Sequence, residues 1–307
     1  KRENFSHVNM VEEDFIGMEK NSNLSKPEKC ISIAAVGDVM PGGIFSERLD
    51  EFEYKWLSPQ IRSHLNSDIV FCNLECPLLD AHTSSSDETI LHAKRRAIKA
   101  IRHANFNVVS LANNHMMDCG CEGLFQTLEL LDENGIRHTG AGMTLDEARK
   151  PAIVEVGGIG VGIHAYVSPF YFGGTLKVAG ENTPGLAPLD LETAKKDIKS
   201  TKKECDIVVI SIHWGIENTY YVPPQNIKAA REILDAGADI ILGHHPHVVQ
   251  GYEVYKGKIV LYSLGNFLFP RFWAPHAKYV YWDKKQRSDI IFKCTITKHG
   301  KLIDYNF

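Results

Sequence analysis

Five short apolar runs in this 307-residue chain each end on a carboxylate, an amide or an imidazole, and no other sequence feature constrains the fold as tightly. Residues 31–37 lead into Asp38, and residues 68–72 lead into Asn73 and Glu75. Residues 106–111 lead into Asn113, Asn114 and His115, residues 206–212 into His213, and residues 238–242 into Gly243-His-His-Pro-His247. Runs of this length, rich in β-branched residues and closed by glycine or polar residues, read as strands buried on both faces. Helical patterns lie between them, over residues 93–104, 124–134 and 224–236. Strands alternating with helices predict a layered α/β fold whose polar groups collect at the C-terminal ends of the strands.

The last third has a different grammar. Residues 248–255, 258–262 and 290–298 are strand-like and are joined by Lys-Gly or His-Gly turns, with no helix between them. Residues 151–167 read as a hairpin turning at Gly157-Gly158, so the sheets should be mixed. Residues 1–29 are polar without a sustained period and are expected to be a flexible lead-in, leaving 30–307 as a single domain. The Gly/Pro-rich stretch 168–188 is read as a long loop within that domain.

Bulk composition closes off several function classes. A net charge of −4 gives no global cationic field, so nucleic-acid binding is not expected and an anionic ligand must be met by a local site. No apolar run reaches the roughly 18 residues that span a bilayer, so a membrane link is expected only through a segment outside this sequence. Seven cysteines without a CxxC pair argue against a disulfide framework and a structural zinc site, and lean toward a reducing compartment. Gly158-Ile-Gly-Val-Gly162 lies inside the hairpin rather than opening a helix, which excludes a dinucleotide loop. The basic residues Lys94, Arg95, Arg96, Lys99 and Arg102 read as a solvated helix face, with an anionic polymer as the alternative.

The residue types at the five strand ends suit a borderline divalent ion such as manganese, zinc or iron, because they mix carboxylate, carboxamide and imidazole donors. His245 and His247 are two apart after a strand and are expected to project the same way across the pleat, with His244 opposite. A carboxylate shared by two cations about 3.5–4 Å apart is the arrangement that activates a water for attack on phosphorus.

Gly37-Asp38-Val39-Met40, Asn73-Leu74-Glu75, Ser110 to His115, His213-Trp-Gly215, Gly243 to Gly251 and Tyr262 to Phe267 together resemble the CapA-like family of poly-γ-glutamate and capsule biosynthesis, within the calcineurin-like metallophosphoesterase superfamily. The resemblance runs from about Ile31 to at least Phe269. It implies a four-layer αββα sandwich, two mixed sheets flanked by helices, and one or two divalent ions. By resemblance, Asp38 and His247 hold a first ion, Asn114, His213 and His245 hold a second, and Glu75 bridges them. His115 then matches the catalytic histidine that binds no metal. Met40 stands where the superfamily has an imidazole, which leaves the first ion one donor short. The implied function is that of a metal-dependent hydrolase in capsule or poly-γ-glutamate synthesis or export. The alternative is a non-catalytic subunit of the capsule machinery that uses the site for structure or for binding polymer. Expected partners are an anionic polymer or phosphorylated envelope compound and other capsule-synthesis proteins. The implied location is the cell surface or a membrane anchor, with the cytoplasm as the alternative.

Overall fold

The structure is a computed structural model that describes residues 28–48, 55–80, 90–172, 176–270 and 282–307. The expected flexible lead-in lies almost wholly outside the described residues, and Lys29 at its end already accepts a backbone hydrogen bond from Lys298.

In chain order the strands are β1 (Cys30–Val39), β2 (Ile69–Leu74), β3 (Val108–Ser110), β4 (Arg137–Thr139), β5 (Ala141–Gly142), β6 (Ala152–Val156), β7 (Ile159–Val167), β8 (Gly185–Leu186), β9 (Ile207–His213), β10 (Ile240–His244), β11 (Tyr252–Tyr255), β12 (Lys258–Leu261), β13 (Asn266–Leu268), β14 (Phe292–Thr297) and β15 (Leu302–Asn306). The helices are α1 (Gly43–Arg48), α2 (Pro59–His64), α3 (Ile98–His103), α4 (Gly120–Glu133), α5 (Leu145–Arg149), α6 (Leu191–Thr201) and α7 (Pro224–Ala236).

Two mixed sheets carry the fold. The first runs β15-β14-β1-β2-β3-β4, with β13 also pairing to β1, and the second runs β11-β12-β10-β9-β7-β6. Strands β1 to β4 are parallel, as are β7, β9, β10 and β12, while β14, β15, β11 and β6 pair antiparallel.

Alternation along the strands shows why the layers stack. Ile31, Ile33 and Ala35 of β1 and Ile69 and Phe71 of β2 pack in one buried cluster with Ile207 and Val209 of β9 and Ile240 and Leu242 of β10, which fills the space between the sheets. The intervening residues point outward. Val36, Val70 and Cys72 meet Ile98, Ile101, Leu124 and Leu131 of α3 and α4 on one side. Val208, Ile210 and Ile241 meet Ile198 of α6 and Ile233 and Leu234 of α7 on the other. Period-two side chains buried on both faces generate helix, sheet, sheet and helix layers, the αββα sandwich.

Cysteines take the place of small hydrophobes here. All seven are free thiols, and Cys72, Cys76, Cys119, Cys205 and Cys294 are buried. The basic run over α3 is partly neutralised, because Arg95 lies 3.7 Å from Glu129 and 3.6 Å from Glu133, and Arg96 donates to the Ser46 carbonyl.

Gly37 precedes the first site residue and is required by a close approach. A Cβ there would sit 2.0 Å from the Gly265 carbonyl oxygen, the same oxygen that accepts from the Asp38 amide at 2.8 Å. Gly37→Ala should therefore destabilise the protein by about 1–3 kcal/mol or more, since backbone cannot yield as a flexible side chain can. At Gly251 a Cβ would meet nothing within 4 Å, so Gly251→Ala should be close to neutral. Urea denaturation of both variants checks this ordering, and equal midpoints would contradict it.

Candidate metal centre

Parallel strands bring their C-terminal ends to one edge, and there the two sheets contribute to a common cluster. Asp38 is paired in register with Asn73, and His213 with His244. Asp38, Glu75, His213, His244, His245 and His247 are all buried, while Asn114 and His115 are half-buried at the rim.

Asn73 is the organising side chain. Its Nδ2 donates to Asp38 Oδ1 at 2.9 Å and to Glu75 Oε2 at 3.0 Å. Its Oδ1 accepts from Asn113 Nδ2 at 3.1 Å, which also donates to the Leu74 carbonyl at 2.8 Å. Asn113 Oδ1 in turn accepts the backbone amides of His115 and Met116, so the loop after β3 is tied to β2. In the sequence Asn73 and Asn113 stand at strand ends with no such role predicted for them. Their places next to the ligand candidates Glu75 and Asn114 are the available signal.

The predicted residues come together. Asn114 Oδ1 lies 2.7 Å from His213 Nε2, and the rings of His213 and His245 are centred 4.8 Å apart. Ligating atoms of Asp38, Glu75 and His213 lie within 4.8 Å of one another. His247 Nε2 is 3.6 Å from Glu75 Oε1, and its Nδ1 is fixed by Asn266 Oδ1 at 2.8 Å and lies 3.3 Å from Asp38 Oδ2. Fixing one imidazole nitrogen in this way orients the other for a ligand.

Two expectations change in detail. His245 and His247 converge through loop geometry rather than pleat alternation, because β10 ends at His244 and both residues have left-handed backbones, with φ of 98° and 56°. His244 does not turn away, since its Nδ1 lies 3.3 Å from Asp38 Oδ1. Asp118 lies just before Cys119, the N-cap of α4, and its Oδ2 lies 2.9 Å from His115 Nδ1 and accepts from the Leu91 amide at 2.8 Å. His115 is thus held by one nitrogen and presents the other.

Met40 is buried in the apolar cluster beneath the first sheet, and its sulfur accepts from the Gly42 amide at 3.2 Å. Trp214 is a core residue that donates to the Tyr262 carbonyl, whereas Tyr220 and Tyr221 are exposed. The 168–188 stretch returns to the site with Phe172, whose ring is 4.7 Å from that of His245.

Electrostatics favour a cation at this place. Burial raises the Asp38 carboxyl, yet hydrogen bonds and charge from His244 and His247 outweigh it and hold Asp38 well below its ordinary value. Burial and the neighbouring Asp38 push Glu75 well above its ordinary range. Among the described residues, no lysine or arginine pairs with either carboxylate, whose only ion-pair partners are imidazoles. Glu75 Oε1 and His245 Nδ1 are buried with no hydrogen-bond partner. Unsatisfied buried polar atoms and two closely placed carboxyl groups are expensive, and a divalent ion would relieve both. The donor chemistry of this cluster fits such an ion.

Comparison with known proteins gives the lineage. A profile described as bacterial capsule synthesis protein PGA_cap matches residues 32–271, which hold every ligand candidate. The chain belongs to this capsule synthesis family. It is 34% identical over 256 residues to the capsule biosynthesis protein CapA of Bacillus anthracis, covering 80% of this chain and 61% of that protein. It is 35% identical over 252 residues to the PGA biosynthesis protein CapA of Bacillus subtilis, covering 80% of this chain and 64% of that one. A probable polyglutamine synthesis accessory protein of Mycobacterium tuberculosis is 30% identical over 210 residues, covering 65% of this chain and 55% of that protein. The chain therefore spans under two thirds of the length of these relatives.

Burial, and then charge from His247, lowers the His245 imidazole to about 3. Its folded value lies below the unfolded 6.5, so keeping it neutral stabilises the fold fully above that pH and loses effect as pH falls toward 3. In the metal-free protein, NMR of the imidazole protons should show His245 neutral throughout from about pH 7 down to about pH 5, unlike an exposed histidine near 6.5. A His245 midpoint close to that ordinary value would contradict the description of the site.

Proposed function

We propose that this chain is a metal-dependent hydrolase acting on a phosphorylated or amide-linked compound in capsule or poly-γ-glutamate synthesis or export. The observation that carries this reading is a buried donor set with unpartnered atoms, Glu75 Oε1 and His245 Nδ1, lying beneath a half-buried rim formed by Asn114 and His115. A closed structural site would have no need of such a rim.

Asp38, Glu75, Asn114, His213, His245 and His247 would hold one or two divalent ions, of manganese, zinc or iron. Such ions supply Lewis-acid polarisation of a phosphoryl or acyl oxygen and lower the pKa of water. Asn73 holds Asp38 and Glu75 at a fixed separation, and Asn266 fixes the orientation of His247. Burial, more than the neighbouring His245 imidazole, keeps His213 well below its ordinary pKa, so its imidazole is neutral at pH 7 and able to donate a lone pair. His115, fixed through Nδ1 by Asp118, can hold a proton on Nε2 and deliver it to a leaving group. The ring of Phe172 lies against the imidazole pair, 6.0 Å from His213 and 4.7 Å from His245, and covers one side of it. The names of the relatives make poly-γ-glutamate or another anionic capsule polymer the ligand class to test, with other capsule-synthesis proteins as partners.

Variants separate these roles. His115→Ala should leave metal content nearly unchanged and lower turnover by about 10²–10⁴-fold, the usual worth of a positioned acid. His213→Ala should lose both metal and turnover. Metal content by plasma mass spectrometry, alongside rates on phosphomonoester, phosphodiester and γ-glutamyl substrates, checks the ordering. If His115→Ala strips the metal, or His213→Ala keeps metal and rate, the roles are wrong. Metal without turnover on any substrate would favour the non-catalytic, polymer-binding role.

A further inference from the structure

The loop that follows β9 carries a carboxylate, Glu217, that neither the motifs nor the resemblance assigns to the site. A carboxylate oxygen of Glu217, a ring nitrogen of His245 and a ring nitrogen of His247 lie within 4.8 Å of one another. Glu217 is exposed, but the loop beneath it is closely held. The Asn218 amide donates to the Pro246 carbonyl at 2.8 Å, which joins this loop to the turn carrying both imidazoles. Gln250 Nε2 donates to the Thr219 carbonyl at 2.9 Å and to the Tyr221 carbonyl at 3.2 Å, and the Gln286 amide donates to Asn218 Oδ1. Asn218 is in the left-handed region at φ 61°, which asparagine tolerates better than most residues and which these local bonds hold in place.

Two features leave room for a further donor beside these imidazoles. His245 Nδ1 is buried without a partner. Met40, where the resemblance expects an imidazole, is packed in the core with its thioether bonded to the Gly42 amide, and thioether sulfur is a poor ligand for a borderline divalent ion. We propose that Glu217 is a metal ligand, completing a two-imidazole, one-carboxylate position with His245 and His247 and standing in for the donor absent at Met40. That donor set suits manganese or ferrous iron, and it places His245 and His247 on one ion rather than dividing them between two. The inference rests on the reading that this cluster binds divalent ions, and it adds a ligand from the loop after β9, the strand that ends at His213.

Manganese(II) is the probe. Binding to the whole chain is followed by electron paramagnetic resonance of the free ion and by calorimetry, for the native protein, Glu217→Gln and the exposed control Glu155→Gln. Glu217→Gln should weaken at least one manganese ion by tenfold or more, while Glu155→Gln, with the same change in net charge, binds like the native protein. Equal melting temperatures without metal establish that the variant is folded. Native protein that binds manganese and a Glu217→Gln variant that binds it equally well would overturn this inference alone. Native protein that binds no divalent ion would overturn the underlying reading of the site as well.

Discussion

Two carboxylates, Asp38 and Glu75, are buried at the meeting edge of two sheets and share the single amide nitrogen of Asn73. Much of the site follows from this arrangement. Like charges so placed repel and are poorly solvated, and no lysine or arginine among the described residues answers them. Compensation comes instead from imidazoles. His244 and His247 each lie 3.3 Å from Asp38, and the His245 amide faces its Oδ2 at 3.4 Å. An interior organised in this way spends stability on a local charge imbalance that a bound cation would correct.

The sandwich explains how the imidazoles reach that place. Strands β1, β2 and β3 of one sheet and β9 and β10 of the other end at the same edge, and the apolar cluster between them fixes the spacing of the sheets. The final placement is set by turns rather than by strands. His245 and His247 both hold left-handed backbones, each costing on the order of 1–3 kcal/mol, and they persist because β10, β13 and the loop after β9 grip the turn from three sides. Backbone strain concentrated on two neighbouring donors is what a preorganised site requires.

The strand ends and the ligand candidates were legible in the sequence because each buried strand announces itself as a short β-branched run and then breaks on a polar residue. Helix α7 was legible over its full length, since Pro224 opens it and Gly237 closes it. Other features left no comparable signal. β4 and β13 are only three residues long, too short to show a period, and α6 is mostly polar with its few apolar residues on one stripe. The role of Asn73 was hidden because its partners come from a different strand and from its own strand's end. Glu217 was hidden because an exposed acid on a loop resembles any solvated charge until the fold lays that loop over Pro246. His245 and His247 converge through positive φ, which strand alternation in the sequence does not encode.

Anomalous diffraction from manganese-soaked crystals decides whether the strand-end cluster is a divalent-metal centre. One or two manganese peaks are expected, with donor atoms of Asp38, Glu75, Asn114, His213, His245 and His247 at about 2.0–2.3 Å, the range of ordinary coordination bonds. Crystals saturated with manganese that show no anomalous peak in this cluster, or peaks bound only elsewhere on the surface, would contradict it.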